Sequence, residues 1–324
     1  MPHLNRRIIV TAFAGLVATF APAYAAEPYP SKPIRMITPN SAGSGADNMT
    51  RRLADQMSRA LKQPFVVENI PGAGGVVGTE ALLRAPADGY AIALISSNYV
   101  VFPHVYKKLT FDAMKDITPI AGVATAPMVL VARSDLPANN VGELKALALK
   151  QPNKLTLGSS GNGTILHLAG MFMQDKGHFS LLHVPYKGVA PVLPDLVSGV
   201  VDVAFMSYAA VEGLVQQGRL KVLAVSSAKR APALPNVPTL SETIPDCVLE
   251  AWYAVIGPKG MPPEVVGKLN EVINTTLQSP AFQKQIAAEG ALVAPMTPNQ
   301  FKVFIASEYV KHGELVGRSG VVIQ

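Results

Sequence analysis

The chain has almost no cysteine. Cys247 is the only one in 324 residues, so no disulfide can close within the chain, and neither a Cys-x-x-Cys redox pair nor a thiolate zinc cluster can be built. It sits in Pro245-Asp246-Cys247-Val248 and reads as a structural thiol. The six histidines contain no pair at the helical spacing of a zinc site, so no metal or other cofactor is expected. Charge is scarce as well: 15% of residues are charged and the net +6 is spread without a basic block, a pattern that argues against nucleic acid as a partner. Internal repeats and low-complexity tracts are absent. A long apolar run is missing too, since the uncharged stretch from Ile8 to Phe20 falls short of the about 20 residues that a spanning helix requires.

That short run has its own meaning. Arg6-Arg7 precede it and Ala23-Tyr24-Ala25 follow it, the order of a secretory signal peptide, here residues 1–25 with cleavage after Ala25. The sequence therefore predicts export to the periplasm. Removing Arg6 and Arg7 lowers the 28 Lys and Arg by two against 22 Asp and Glu, a mild excess compatible with a small anionic ligand. The mature chain has room for two domains of roughly 100 to 200 residues each.

Short β-branched runs recur at Ile34–Thr38, Phe65–Val67, Ala91–Ile95, Met128–Ala132, Leu155–Leu157, Leu181–Val184, Val201–Phe205, Val222–Val225 and Ala254–Ile256. Their length suits buried strands. Helical patterns lie between them, as in Met49, Leu53, Met57, Ala60 and Leu61, or Ile165, Leu168, Ala169, Phe172 and Met173. Strand alternating with helix predicts an α/β fold of parallel sheets covered on both faces. The C-terminal part reads as successive helices, one beginning after Pro262-Pro263-Glu264 and another at Thr297-Pro298-Asn299-Gln300, a capping box. The stretch Ala231–Pro238 holds too many prolines for a helix and is expected to wrap over a surface.

Two loops, each between a predicted strand and a predicted helix, carry the candidate chemistry. The first is Pro39-Asn40-Ser41-Ala42-Gly43-Ser44-Gly45-Ala46-Asp47; the second is Gly158-Ser159-Ser160-Gly161-Asn162-Gly163-Thr164. Glycine lets backbone approach a ligand, hydroxyls add adjustable donors, and free N–H groups at a helix N-terminus favour an anion. At the carboxyl ends of parallel strands, two such loops facing each other form a clamp. Asp47 reads as a helix N-terminal cap rather than a cation ligand. His167, in the first turn of the next helix, reads either as a packing or capping residue or as a pocket contact.

No catalytic constellation is legible. Gly158-Ser159-Ser160-Gly161-Asn162 lacks the closing glycine of a nucleophile elbow. Val77 occupies the third-glycine place of a dinucleotide fingerprint in Gly72-Ala73-Gly74-Gly75-Val76-Val77. Gly213 to Arg219 lacks the Lys-Ser/Thr end of a phosphate loop.

A series of motifs recurs in a fixed order: Tyr29-Pro30-Ser31-Lys32-Pro33-Ile34-Arg35, the loop ending at Asp47, Val67-Glu68-Asn69 with Pro71-Gly72-Ala73-Gly74-Gly75, Asp88-Gly89-Tyr90, Gly161-Asn162-Gly163 with His167, Val184-Pro185-Tyr186-Lys187-Gly188, and Gly199 with Val201-Asp202. In this the chain resembles the Bug receptors, the TctC family of substrate-binding proteins of tripartite tricarboxylate transporters. The resemblance implies a type II, two-lobed Venus flytrap, each lobe a mainly parallel sheet flanked by helices, with residues 26–122 and 253–324 in one lobe and 123–252 in the other. It implies a monomer that closes on a small carboxylate and hands it to membrane subunits, with no catalysis. A receptor that signals to a sensor protein, or an exported α/β enzyme acting on a carboxylate, are the alternatives. The resemblance places the ligand against residues Ser41–Asp47 and Ser159–Thr164, and Ser96, Ser97 and Ser207 join the cleft because they follow predicted strands. Asn40 and Ser44 depart from the aromatic and glycine common in relatives, and Ile70 and Val76 from an arginine and an asparagine. The more polar first loop predicts a ligand with extra hydroxyl or amino groups.

Overall fold

The computed structural model describes residues 28–288 and 290–319; the expected leader lies outside them. The described chain opens with three strand–helix units: β1 (Ile34–Thr38), α1 (Gly45–Leu61), β2 (Phe65–Asn69), α2 (Val76–Leu83), β3 (Ala91–Ser96) and α3 (Asn98–Val105). A long strand, β4 (Ile117–Arg133), leads to α4 (Val141–Lys150). Three more units follow: β5 (Thr156–Ser159), α5 (Ile165–Gly177), β6 (Leu182–Pro185), α6 (Val192–Ser198), β7 (Val203–Ser207) and α7 (Tyr208–Gln216). The chain ends with β8 (Leu220–Val225), β9 (Glu250–Pro258), α8 (Pro263–Gln278), α9 (Pro280–Ala288), β10 (Leu292–Val293) and α10 (Pro298–Ser319).

These strands form two half-sheets of one design. In the first the order is β2-β1-β3-β9-β4, with β1, β2 and β3 parallel and β9 antiparallel to β3. In the second it is β6-β5-β7-β4-β8, with β5, β6 and β7 parallel and β4 antiparallel to β7 and β8. Strand β4 serves both, pairing with β9 through Pro127 and with β7 from Met128 onward. This two-lobed, mainly parallel α/β architecture agrees with the expected fold class. Only the last third of β4 is legible as a strand, because Pro119 and Pro127 argue against a central strand. The register shifts between Pro119 and Ala121 and between Gly122 and Ala124, and those irregularities accommodate the break.

Burial explains the local elements. Strand β3 is buried on both faces along its whole length, which is why it reads as an unbroken apolar run. Helix α1 buries Met49, Leu53 and Met57 as the spacing predicts, each contributing about 1.5–3 kcal/mol. Ala60, expected on that face, is exposed; the apolar stripe instead runs through Ala46, Thr50 and Ala54. Helix α8 buries Val265, Val266, Leu269, Val272, Ile273 and Thr276 as expected. The Thr297–Gln300 capping box forms, with both reciprocal bonds present at 2.9 and 3.2 Å. Helix α10 lies behind the crossing strands and touches both α3 and α5, and its Glu308 accepts a 2.9 Å bond from the indole of Trp252 on β9. The proline-rich stretch forms turns over the hydrophobic core, with Ala231 buried in it and Leu234 and Val237 packed against it. Cys247 is buried and unpaired, and burial pushes its thiol up to about 12, consistent with a structural role.

Candidate functional site

A cavity of about 590 Å³ lies between the two half-sheets. Its walls come from the carboxyl end of every strand in both parallel triplets: Pro39–Ser41 and Ser44–Ala46 after β1, Pro71–Gly75 after β2, Ser96 closing β3 and Asn98 beyond it, Ser160–Asn162 and Thr164–Leu166 after β5, Tyr186–Val189 after β6, and Ser207 closing β7. Helices α1, α2, α3, α5 and α7 begin at this wall. Their first-turn N–H groups lack intrahelical partners, so several partial positive charges converge on one space.

The first loop is fixed by a reciprocal cap. Ser44, not Asp47, is the N-cap of α1: its hydroxyl accepts from the Asp47 amide at 3.2 Å. Asp47 sits at the third helical position, and its carboxylate reaches back to accept the Gly43 amide at 2.9 Å. Asn69, at the end of β2, donates to Asp47 Oδ1 at 2.9 Å and to the Asn40 carbonyl at 3.1 Å. Arg51 completes the set with a 3.0 Å ion pair to Asp47. Burial pushes the Asp47 carboxyl up, but the bonds from Gly43, Asn69 and Arg51 outweigh it and hold the group below its ordinary value.

The second loop repeats this plan with different chemistry. Thr164 caps α5 by accepting from the His167 amide at 3.3 Å, and His167 Nδ1 accepts the Gly163 amide at 3.1 Å. Gly43 and Gly163 share the same left-handed turn, at φ of 75° and 69°, which glycine enters without steric cost. Where Asn69 at the end of β2 braces the first loop, His183 two residues before the end of β6 braces the second: its Nε2 lies 2.7 Å from the Ser159 hydroxyl. The His167 and His183 rings stack at 3.8 Å with 10° between their planes. Burial, then the His183 charge, push His167 down to about 4, and burial alone pushes His183 down.

Direct contacts join the two walls across the cleft. The Ile165 amide of α5 donates to Asn98 Oδ1 at 2.7 Å, and the Val189 amide donates to Ser41 Oγ at 3.4 Å. Gly45 comes so close that a methyl group there would lie 2.8 Å from Ser207 on the opposite wall, and 2.6 Å from Tyr253 Oη on its own. These contacts describe a closed cleft.

Of the residues singled out from sequence, Asn40, Ser41, Ser44, Gly45, Ala46, Ser96, Ser160, Gly161, Asn162, Thr164 and Ser207 line the cavity. The others do not. Ala42 and Gly43 form the exposed tip of the first loop, while Asp47, Gly163 and His167 are spent on the caps. Ser159 is turned to His183, and Ser97 bonds the Trp252 amide at 3.4 Å. Sequence reasoning missed Pro71–Gly75 and Tyr186–Val189 as wall, although each follows a strand by the rule that found the other loops. It also missed Tyr106, Met128, Ala251 and Tyr253, whose places depend on α3 and on the crossing strands. Among the described residues the wall carries one cationic side chain, Lys187, and no carboxylate. Burial pushes Tyr253 up to about 12, and burial with the Asp195 hydrogen bond does the same for Tyr186, so both phenols stay neutral donors at pH 7.

Residues 49–321 match the model of the tripartite tricarboxylate transporter family receptor. Protein BugT of Bordetella pertussis is 33% identical over 325 residues, covering 99% of this chain and 100% of that protein. Among solved structures, R. palustris Rpa4515 with adipate superposes with a TM-score of 0.88 at 27% identity, covering 91% of this chain and 99% of that one. The periplasmic binding protein BugD gives 0.86 at 34% identity, with 91% and 100% covered. The family is one of solute-binding receptors rather than enzymes, and the chain belongs to it: the tripartite tricarboxylate transporter family of receptors, the Bug or TctC group.

Proposed function

We propose that this chain is an exported receptor that captures a small carboxylate by closing two lobes on it and presents the closed form to the membrane subunits of a tripartite tricarboxylate-type transporter. The carrying observation is the cavity wall: strand-end loops from both half-sheets and the starts of several helices surround about 590 Å³, with no carboxylate side chain among the described residues that line it. Such a wall solvates an anion through backbone dipoles. The lobes, residues 26–122 with 253–324 and residues 123–252, move about β4 and β9, and cleavage near Ala25 releases the chain to the periplasm as a monomer.

The wall also narrows the ligand. An ammonium group would enter a site with no anionic partner and lose its water, which is costly. Hydroxyls would meet donors and acceptors from Asn40, Ser44, Asn98, Ser160 and Tyr253, while Met128, Ile165, Leu166 and Val189 offer apolar surface. A carboxylate with a hydroxylated or apolar body therefore fits better than an acidic amino acid. Adipate, bound by a relative, is the first compound to try.

A thermal-shift screen of refolded, ligand-free protein tests this. Ligand at a thousandfold its Kd adds about 4 kcal/mol of stability. Stabilisation by adipate or another amine-free carboxylate supports the reading; stabilisation only by neutral compounds, or only by amino acids, overturns it. Growth of a deletion strain on the ligand separates uptake from signalling to a sensor protein.

A further inference from the structure

We infer that His167 and His183 are positioning residues: a neutral, stacked imidazole pair that holds the second loop in its ligand-receiving shape without touching the ligand. The inference rests on the carboxylate-capture reading for its consequence, but the device itself is a property of the free protein.

The geometry is specific. An amide N–H can only donate, so the 3.1 Å contact from Gly163 requires His167 Nδ1 to be an unprotonated acceptor. The Ser159 hydroxyl links His183 Nε2 at 2.7 Å to the Gly161 amide at 3.2 Å. The stacked pair therefore holds both glycines that flank Asn162, the exposed tip of the loop at the cavity wall. His167 is buried and does not line the cavity, so its effect on a ligand passes through the loop.

The first loop shows what the imidazole replaces. There a carboxylate at the same helical position accepts the equivalent glycine amide, and Arg51 pairs with it. A carboxylate in the second loop would set a negative charge beside an anion site. A neutral imidazole makes the same bond and leaves the positive end of α5 uncompensated. The charge acting on His167 is that of a His183 imidazolium, and burial alone acts on His183. Protonating His167 removes its acceptor and turns an N–H against the Gly163 amide.

The test uses ligand-free protein with nitrogen-15 in histidine and in the backbone. At pH 7, His167 is expected with Nδ1 unprotonated, and the Gly163 amide resonance should titrate with His167 near pH 4 while the Gly43 amide does not. A His167→Asn variant keeps an acceptor at the Nδ1 place and cannot titrate, so the Gly163 transition should vanish. His167→Phe keeps a ring but no acceptor and should weaken adipate binding about three- to tenfold, most of it restored in His167→Asn. A protonated Nδ1 at pH 7, or a Gly163 amide indifferent to His167 titration, overturns the inference even if His167→Phe does not fold. Failure of wild-type protein to bind any carboxylate sinks the receptor reading instead, and the tautomer and amide titration still decide this one.

Discussion

The two cleft loops are one design executed with two chemistries. Each places a hydroxyl at the N-cap, a left-handed glycine before it, and at the third helical position a side chain that accepts that glycine's amide. Asp47 does this as an anion braced by Arg51 and Asn69, and His167 does it as a neutral ring stacked on His183. The same backbone shape can thus be held with or without charge at the helix start, and the choice sets the local field at the cavity wall.

The strongest way to break the pairing of the loops is steric. Gly45→Ala introduces a methyl group 2.6 Å from Tyr253 Oη and 2.8 Å from Ser207. Ser207 belongs to the opposite half-sheet, so that part of the clash exists only when the cleft is closed, whereas Tyr253 lies on β9 of Gly45's own half-sheet and meets the methyl group in either state. Overpacking of about 1–3 kcal/mol then acts mainly on closure, lowering ligand affinity roughly five- to 150-fold by titration calorimetry, with a smaller fall in the ligand-free Tm from the Tyr253 contact. An equal loss of ligand-free stability would show that the contact is part of one rigid core.

Removing a bond across the cleft comes next. Asn98→Ala strips the acceptor from the Ile165 amide, a buried 2.7 Å contact, and should weaken binding about tenfold. Trp252, the single tryptophan, lies on crossing strand β9, so its fluorescence should follow the shift toward the open form.

Acid should separate the loops by their anchors. The lowered His167 value means that its contribution is complete above the ordinary 6.5 and is lost as pH falls toward about 4. The lowered Asp47 value means that its contribution persists until pH drops below the ordinary 3.8. At pH 5, hydrogen-exchange protection at Gly163 should have fallen roughly twentyfold relative to pH 7, with Gly43 nearly unchanged. Parallel loss at both glycines would mean that the loops open together. The smallest effect belongs to Ser41→Ala, whose 3.4 Å contact at the rim should change affinity by less than about threefold.

Much of this was legible in the residues. Strand β1 coincides with the predicted Ile34–Thr38 run, and α8 buries the face its spacing indicates, because burial on a regular element imposes a period. The clamp loops were legible through glycine and hydroxyl residues placed between strand and helix. Three things were hidden. The first part of β4 was masked by Pro119 and Pro127, since its pairing depends on bulges that only a partner strand defines. The role of Asp47 was shifted by one partner, because Ser44 is the better cap and only the backbone path shows which residue is reached. His183 carried no signal, because the parallel register of β5 and β6, not sequence proximity, brings it to Ser159 and His167.

What the sequence by itself determined was the α/β alternation, a single cysteine, and two loops rich in glycine and hydroxyl residues placed between strand and helix. Those follow from composition and local periodicity, where each residue's preference is expressed within a few neighbours. Which loops face one another, which side chains reach the cavity and which hold its walls were decided by the tertiary structure alone. Two parallel triplets joined through shared strands aim all their carboxyl ends at one space, and contacts such as Asn98 to Ile165 or His183 to Ser159 exist only because packing closes long separations in the chain.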